Sequence, residues 1–230
     1  MSGRKALVIG IDNYPGCELS CCVNDAAEIS ALLERNEDGT PNFSVQRPDI
    51  YRERELMHYL KKLFSGEDET ALFYFAGHAM TADAGTYLMT PDEFSNESGI
   101  SMGEIMTMIS NSNNRNNIVI LDCCHAGKIG EPFFVKDVSS LKNGTTIMSA
   151  CKGSETAIER DGHGIFTDLL INGLRGGAAD LTGRITPGAL YAYIDKSLGP
   201  WDQRPVFKTN VSNFVSLRRA NPPYYTRISC

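Results

Sequence analysis

Apolar runs that break off at a reactive side chain constrain this chain more than any other feature. Tyr74-Phe75-Ala76-Gly77-His78 ends on an imidazole, and Ile118-Val119-Ile120-Leu121-Asp122-Cys123-Cys124-His125-Ala126-Gly127 ends on thiols beside a glycine. Strands buried on both faces of a parallel sheet read as continuous apolar runs, and open α/β sheets carry their chemistry at the carboxyl ends of strands. Neighbouring strands that end this way bring His78 and a thiol together above one sheet edge. That is the layout of a Cys/His nucleophilic hydrolase.

The rest of the pattern supplies the frame. Lys5 to Ile11, Thr70 to Phe75, Ile118 to Asp122 and Thr145 to Ala150 read as core strands, with Tyr87 to Met89, Val206 to Thr209 and Phe214 to Leu217 as shorter ones. Between them, helical spacing marks Asn24 to Arg35, through Ile29, Leu32 and Leu33, and Arg54 to Phe64, through Leu56, Tyr59, Leu60, Leu63 and Phe64. Met102, Ile105, Met106 and Ile109 mark a third helix, and Gly164 to Leu174 and Pro187 to Leu198 two more, the last with proline in its first turn. Asp12 to Gly16, Gly39 to Pro48 and Asn111 to Asn117 break the pattern, and Gly127 to Gly144 is a long connection. Strands alternating with helices imply a mostly parallel sheet covered on both faces.

At 230 residues and 42% hydrophobic, the chain can bury one full α/β core. A net charge of −6 argues against nucleic acid as a partner, since no excess of Lys and Arg is available to neutralise phosphates. Of seven cysteines, Cys21-Cys22 and Cys123-Cys124 are adjacent pairs, a poor disulfide framework that suggests reduced thiols in a cytoplasmic protein. No segment approaches the ~20 apolar residues of a membrane span, so no membrane association is expected.

A thiol of ordinary pKa, about 8.5, is mostly protonated at neutral pH and needs a base before it can attack. His78 can be that base for Cys124, and backbone N–H groups near Gly77 and Cys124 can hold the oxyanion. Either side chain alone reads as easily as a packing residue; together, each beside a glycine at a strand end, they point to catalysis.

Phe75-Ala76-Gly77-His78 and Asp122-Cys123-Cys124-His125-Ala126-Gly127 resemble the histidine and cysteine motifs of the caspase-like cysteine peptidases. The match is nearest the metacaspase and bacterial orthocaspase branch, whose nucleophile segment reads Asp-x-Cys-His-x-Gly. Gly10-Ile11-Asp12-Asn13-Tyr14 and Cys22-Val23-Asn24-Asp25-Ala26 also look like that branch, so the resemblance runs in order from about Lys5 to Asn210.

It implies a caspase-hemoglobinase-like three-layer α/β/α sandwich with a mostly parallel central sheet, built as one peptidase domain over residues 1–230. Residues 1–132 would match the large subunit, 133–144 a linker and 145–217 the small subunit, with 218–230 an irregular tail. His78 becomes the base, Cys124 the nucleophile, and Cys123 a packing residue in the variable position. His125, a chain neighbour of Cys124, cannot replace His78.

The same resemblance implies an acidic pocket for Arg or Lys before the scissile bond, formed by Asp25 and Asp122 with Cys22 beside them. Carboxylates converging on one point suit a guanidinium, which offers a planar fork of donors. The spacing Asp25-x-x-Glu28 also reads as a helix cap, which alone would explain an aspartate there. Ala76 stands where the branch commonly has a serine in the pocket. Aspartate specificity is not expected, since nothing near the matched segments supplies an arginine pair and Arg4 precedes the first strand.

Many relatives bind calcium beyond the histidine strand. Asp92 and Glu131 suit two ligands, but Gly99-Ile100-Ser101-Met102-Gly103-Glu104 lacks the acidic pair, so calcium independence is expected. Adjacent cysteines suit zinc poorly, and no metal or other cofactor is expected. Lys128, Lys136 and Lys142, in the connection after the nucleophile strand, are candidate self-cleavage points or ordinary solvated lysines. The expected partners are a protein or peptide substrate with a basic residue before the cut and a regulatory domain or protein that restrains the site. A silent caspase-fold interaction module, or a clan relative with another specificity, is the rival reading.

Overall fold

The computed structural model describes residues 3–82, 85–92, 99–125, 141–152, 159–160, 163–199, 204–213 and 215–221, without the side chains of residues 124, 125, 151, 152, 159, 160 and 163. Its centre is a sheet in which β1 (Arg4–Gly10), β2 (Ser44–Gln46), β3 (Thr70–Ala82), β6 (Asn116–His125) and β7 (Thr145–Lys152) run parallel. At one edge β11 (Val206–Asn210) adds antiparallel to β7, giving the order β11–β7–β6–β3–β1–β2.

Among the described residues five α-helices cover it: α1 (Cys22–Glu34), α2 (Glu53–Phe64), α3 (Met102–Asn111), α4 (Ile165–Asn172) and α5 (Pro187–Ser197). Alternation along the strands sorts their side chains into two cores. Leu7, Ile9, Phe73, Phe75, Val119 and Leu121 pack with Leu56 and Leu60 of α2 and Ile105 and Ile109 of α3. Ala6, Val8, Leu72, Tyr74, Ile118 and Ile120 pack on the other face with Ile29 of α1, Leu170 of α4 and Ile194 of α5. The result is a three-layer α/β/α sandwich.

Local chemistry sets the helix starts. The carboxylate of Asp12 accepts from the backbone N–H of Cys22 (2.8 Å) and Val23 (3.2 Å), so α1 is capped from the β1–α1 loop and begins two residues earlier than its apolar stripe suggests. Asp25 lies one turn inside and is no cap. Ser101 and Thr186 cap α3 and α5 through their hydroxyls.

The structure departs from the sequence expectation in several places. Ser44–Gln46, inside the supposed break, is an edge strand beside β1. β3 does not stop at Phe75: its register with β6 runs on to Ala79 opposite His125, and Ala79–Ala82 then pair antiparallel with β4 (Gly85–Leu88). β4 is held in turn by β5 (Ile100–Ser101). Two small antiparallel pairs lie apart from the main sheet: β8 (Glu159–Arg160) with β9 (His163–Gly164), and β10 (Arg184–Ile185) with β12 (Arg218–Arg219). Phe214 lies outside the described residues, and the late strand expected around it is instead Arg218–Arg219. Arg4 opens β1 rather than preceding it; its guanidinium lies 4.2 Å from the Phe43 ring centroid and bonds Asn42 and the Ser216 carbonyl.

Candidate functional site

The first sequence change of direction in the sheet lies between β1 and β3: α1 leads from β1 to β2 on one side, and α2 returns the chain to β3 on the other. Doubly wound sheets open a crevice above such a point. Here the crevice wall is made by Ile11–Cys21 after β1, by Ala76–His78 of β3, by Asp122–Cys124 of β6, and by the N-termini of α1 and α4.

β1 ends at Gly10, in register with Ala76, and β4 reaches back along β3 only as far as Leu88 opposite Ala79, so β3 has a gap on that side at Gly77 and His78. The Tyr14 hydroxyl fills it. It accepts from the His78 backbone N–H (3.1 Å) and donates to the Met89 carbonyl (3.2 Å), while Met89 N–H donates to the His78 carbonyl (3.0 Å). Burial pushes the Tyr14 phenol well above its ordinary pKa, so it stays a hydroxyl. A Cβ on residue 77 would lie 2.5 Å from that hydroxyl and 3.0 Å from the Phe75 ring, so only glycine leaves room for it.

The backbone N–H and carbonyl of His78 both face this gap, so by alternation those of Gly77 face β6. The Gly77 amide, expected as an oxyanion donor, is therefore directed into the β3–β6 ladder. Its part in the site is steric.

The imidazole of His78 is buried (4% exposed) and stands edge-on to Tyr14, with ring centroids 4.6 Å apart. Its Nε2 is 2.8 Å from the Cys17 carbonyl oxygen. A carbonyl only accepts, so Nε2 carries the proton and Nδ1 is the basic nitrogen. The carbonyl is presented by a type II turn, Tyr14-Pro15-Gly16-Cys17, with proline second, glycine third at φ +75° and Cys17 N–H bonded to the Tyr14 carbonyl. The sequence showed the turn residues but not their target. This carbonyl is the orienting group that no side-chain motif could reveal.

Cys124 is in register with His78, and Cys123 with Gly77. Paired Cα atoms in adjacent strands are about 5 Å apart. Position 124 and Asp122 are two residues apart on β6 and fall on the same face of the strand. Cys123 is buried in the opposite core, packed with Leu121 and Phe75.

Asp122 is in register with Ala76 on β3 and Ala150 on β7. Its Oδ2 accepts from the Thr167 hydroxyl of α4 at 2.7 Å. Asp25, in the first turn of α1 and 2% exposed, takes a long hydrogen bond from the Gly164 N–H to Oδ2 (3.5 Å). A Cβ on Gly164 would lie 3.1 Å from Asp122 Oδ2 and 3.7 Å from Asp25 Oδ2, so the two carboxylates meet around one glycine. Both also help burial to push the Tyr74 phenol well above its ordinary pKa, as negative charges facing one enclosed space must. Cys22 is half-buried at the start of α1, where its backbone N–H donates to Asp12. Ala76 packs into the core.

Other candidates lie elsewhere. Asp92 Oδ1 accepts from the Glu53 N–H (3.1 Å) and the Thr90 hydroxyl (2.8 Å), capping α2. Lys142 donates to the Ser112 carbonyl at the opposite end of the sheet. Glu131, Lys128, Lys136, most of the 127–144 connection, the side chains of Cys124 and His125, and residues 222–230 lie outside the described residues. Among the described residues no group of three His, Cys, Asp or Glu side chains could hold a metal ion, and no helix is long and apolar enough to cross a membrane.

The family model described as the caspase domain, a peptidase family, matches residues 3–210. The chain belongs to that family, and its three-layer sandwich is the caspase-like α/β fold. It is thereby placed among the caspase-like cysteine peptidases. No curated protein matches the chain.

Proposed function

We propose that this caspase-domain chain is a cysteine endopeptidase that cuts after arginine or lysine, with Cys124 as nucleophile and His78 as its base. The observation that carries the reading is the register of His78 with Cys124 on adjacent strands, with the imidazole anchored through Nε2 on the Cys17 carbonyl. A ring held that way keeps Nδ1 available as the proton acceptor, and a carbonyl partner favours the imidazolium that forms.

In the first half-reaction the Cys124 sulfur bonds to the scissile carbonyl carbon while its proton passes to His78 Nδ1. The tetrahedral intermediate, its oxyanion held by backbone N–H groups beside Cys124, expels the amine, which takes the proton back from His78. Water then attacks the thioester, losing a proton to His78. The acid product leaves and the thiol is restored. The pair is a dyad oriented by a main-chain oxygen rather than by a third side chain.

The specificity half rests on Asp25 and Asp122. Like charges brought together in a half-closed site raise each other's energy until a cation enters between them. A guanidinium or ammonium meets that need, and an aspartate side chain would deepen the repulsion. Cys22 lines the approach. The reading includes calcium independence and restraint of the site by another domain or partner in the cytoplasm.

Fluorogenic peptides ending in Arg, Lys or Asp, with and without calcium, test it beside Cys124→Ala. Turnover of Arg and Lys peptides that disappears in the alanine variant is expected. Turnover surviving that substitution removes Cys124 from its role, and preference for Asp removes the acidic pocket. No turnover of any peptide by the intact chain favours a silent interaction module. Equal activity of this chain and the intact gene product argues against restraint.

A further inference from the structure

Two hydroxyls sit where the surrounding layer is otherwise hydrocarbon. Tyr74 lies in β3 between Phe73 and Phe75, and Thr167 lies in α4 beside Phe166 and Leu170; both are fully buried. A buried hydroxyl without a partner costs about 1–3 kcal/mol, so a phenylalanine and a valine would be the simpler occupants. Their hydrogen bonds run in one direction. Thr167 Oγ1 donates its single proton to Asp122 Oδ2 (2.7 Å), so at the Tyr74–Thr167 contact, also 2.7 Å, the phenol must be the donor. Tyr74, kept protonated by burial, gives an uninterrupted chain Tyr74→Thr167→Asp122.

We infer that Thr167, backed by Tyr74, is a specificity-determining positioning residue: it holds the Asp122 carboxylate ionised and oriented for the basic side chain of the substrate. This deepens the Arg/Lys reading above and rests on it.

The argument has three parts. Asp122 and Asp25 face each other around Gly164, and repulsion between like charges drives one of them toward the protonated form. A hydrogen bond donated to the carboxylate opposes that drift, and a donor whose own oxygen receives a bond is the stronger for it. Ala76, the cross-strand partner of Asp122 on β3, has no polar group to do this, and neither has Ala150 on β7. The Thr167 hydroxyl on α4, backed by Tyr74 two residues earlier on β3, supplies such a bond. Among the described residues, the other titratable groups acting on this space are Asp25 and Cys22 of α1 and the Tyr74 phenol itself.

The test uses the full chain with Thr167→Val, which keeps shape and loses the hydroxyl, Thr167→Ser, which keeps the hydroxyl, and Tyr74→Phe. For an Arg-ending peptide, Thr167→Val is expected to raise KM about tenfold with kcat within about threefold, equivalent to about 1.4 kcal/mol of lost binding. Thr167→Ser should restore most of it, and Tyr74→Phe should raise KM by about threefold. In carbon-13 NMR the Asp122 carboxyl should titrate about one pH unit higher in Thr167→Val. The double variant Tyr74→Phe with Thr167→Val leaves no orphaned hydroxyl and serves if the single valine variant does not fold.

A folded valine variant with an unmoved Asp122 titration, or one that loses kcat at constant KM, overturns the positioning role. If the wild type ignores Arg and Lys peptides, the Arg/Lys reading falls and the specificity role falls with it. The carboxyl titration still decides whether Thr167 sets the charge of Asp122.

Discussion

Both ends of the central sheet bury polar side chains, and they do so for opposite ends. At the amino end, Asn114 Oδ1 accepts from the Asp68 N–H (2.8 Å) and its Nδ2 donates to the Leu63 carbonyl (3.1 Å), while Asn116 Nδ2 donates to the Glu69 carbonyl (2.9 Å). These are neutral amides that bring no charge, and Asn114, using donor and acceptor together, ties the Asp68 loop to the last turn of α2. At the carboxyl end the buried groups of the described residues include three titratable ones, His78, Asp25 and Asp122. The carboxylates meet as like charges, and the imidazole is anchored on one nitrogen. The amino end has a buried carboxylate too, Asp68, but it is paired with Lys5 Nζ at 2.8 Å, whereas at the carboxyl end Asp25 and Asp122 stand close to one another. Burial of polarity by itself does not distinguish the two; the arrangement of the charges does.

The sharpest way to break this contrast is at position 124. Cys124→Ala should lower kcat on Arg peptides by about 10³-fold or more, with the melting temperature within a few degrees of wild type. Residual turnover above a tenth of wild type would mean that the carboxyl end is only another structural network.

Asp122→Asn comes next. It should lower kcat/KM for Arg peptides by about 10²-fold, the size expected when one carboxylate of a desolvated charge pair is lost. Thermal unfolding should be unchanged or slightly higher, because a repulsive pair is relieved while the Thr167 hydroxyl keeps an acceptor. Asn114→Ala should do the reverse. It strands the Asp68 N–H and the Leu63 carbonyl, so denaturant unfolding should show a loss of about 2 kcal/mol, while kcat/KM per folded molecule stays at the wild-type value. If Asp122→Asn destabilised as much as Asn114→Ala, the division between the ends would not hold.

The sequence made the contrast partly visible. The apolar runs located β1, β3, β6 and β7, because a strand buried on both faces has no choice but to be apolar. Ser44–Gln46 escaped because an edge strand of three residues, two of them exposed, leaves no apolar run to find. The extension of β3 past His78 escaped because it depends on pairing with β4, a contact no local pattern announces. In the site, His78, Cys124, Asp25 and Asp122 were readable as reactive types at motif positions. The Cys17 carbonyl was not, since a backbone oxygen has no letter. Tyr74 and Thr167 were hidden differently: each fits the apolar periodicity of its own element, and only the packing of α4 against β3 brings their hydroxyls to Asp122.

Tyr14 blurs the division, and so offers the finest test of it. It sits at the carboxyl end yet behaves like the asparagines, a neutral group that closes a gap between β1 and β4 by accepting from His78 N–H and donating to the Met89 carbonyl. Tyr14→Phe keeps the edge-on ring against the imidazole and the Nε2 bond to Cys17, and removes only the bridging hydroxyl. The loss should therefore resemble a structural one, about 1 kcal/mol in denaturant unfolding. The effect on kcat should be a few-fold at most, because the backbone of His78 loosens on one side while its ring remains held. KM for Arg peptides should not move, since the Tyr14 hydroxyl bonds to the His78 N–H and the Met89 carbonyl. A rise in KM matching that of Thr167→Val would show the histidine and the acidic pocket to be one mechanically coupled unit. An unchanged KM with a small kcat deficit would show them to be separate devices sharing a rim.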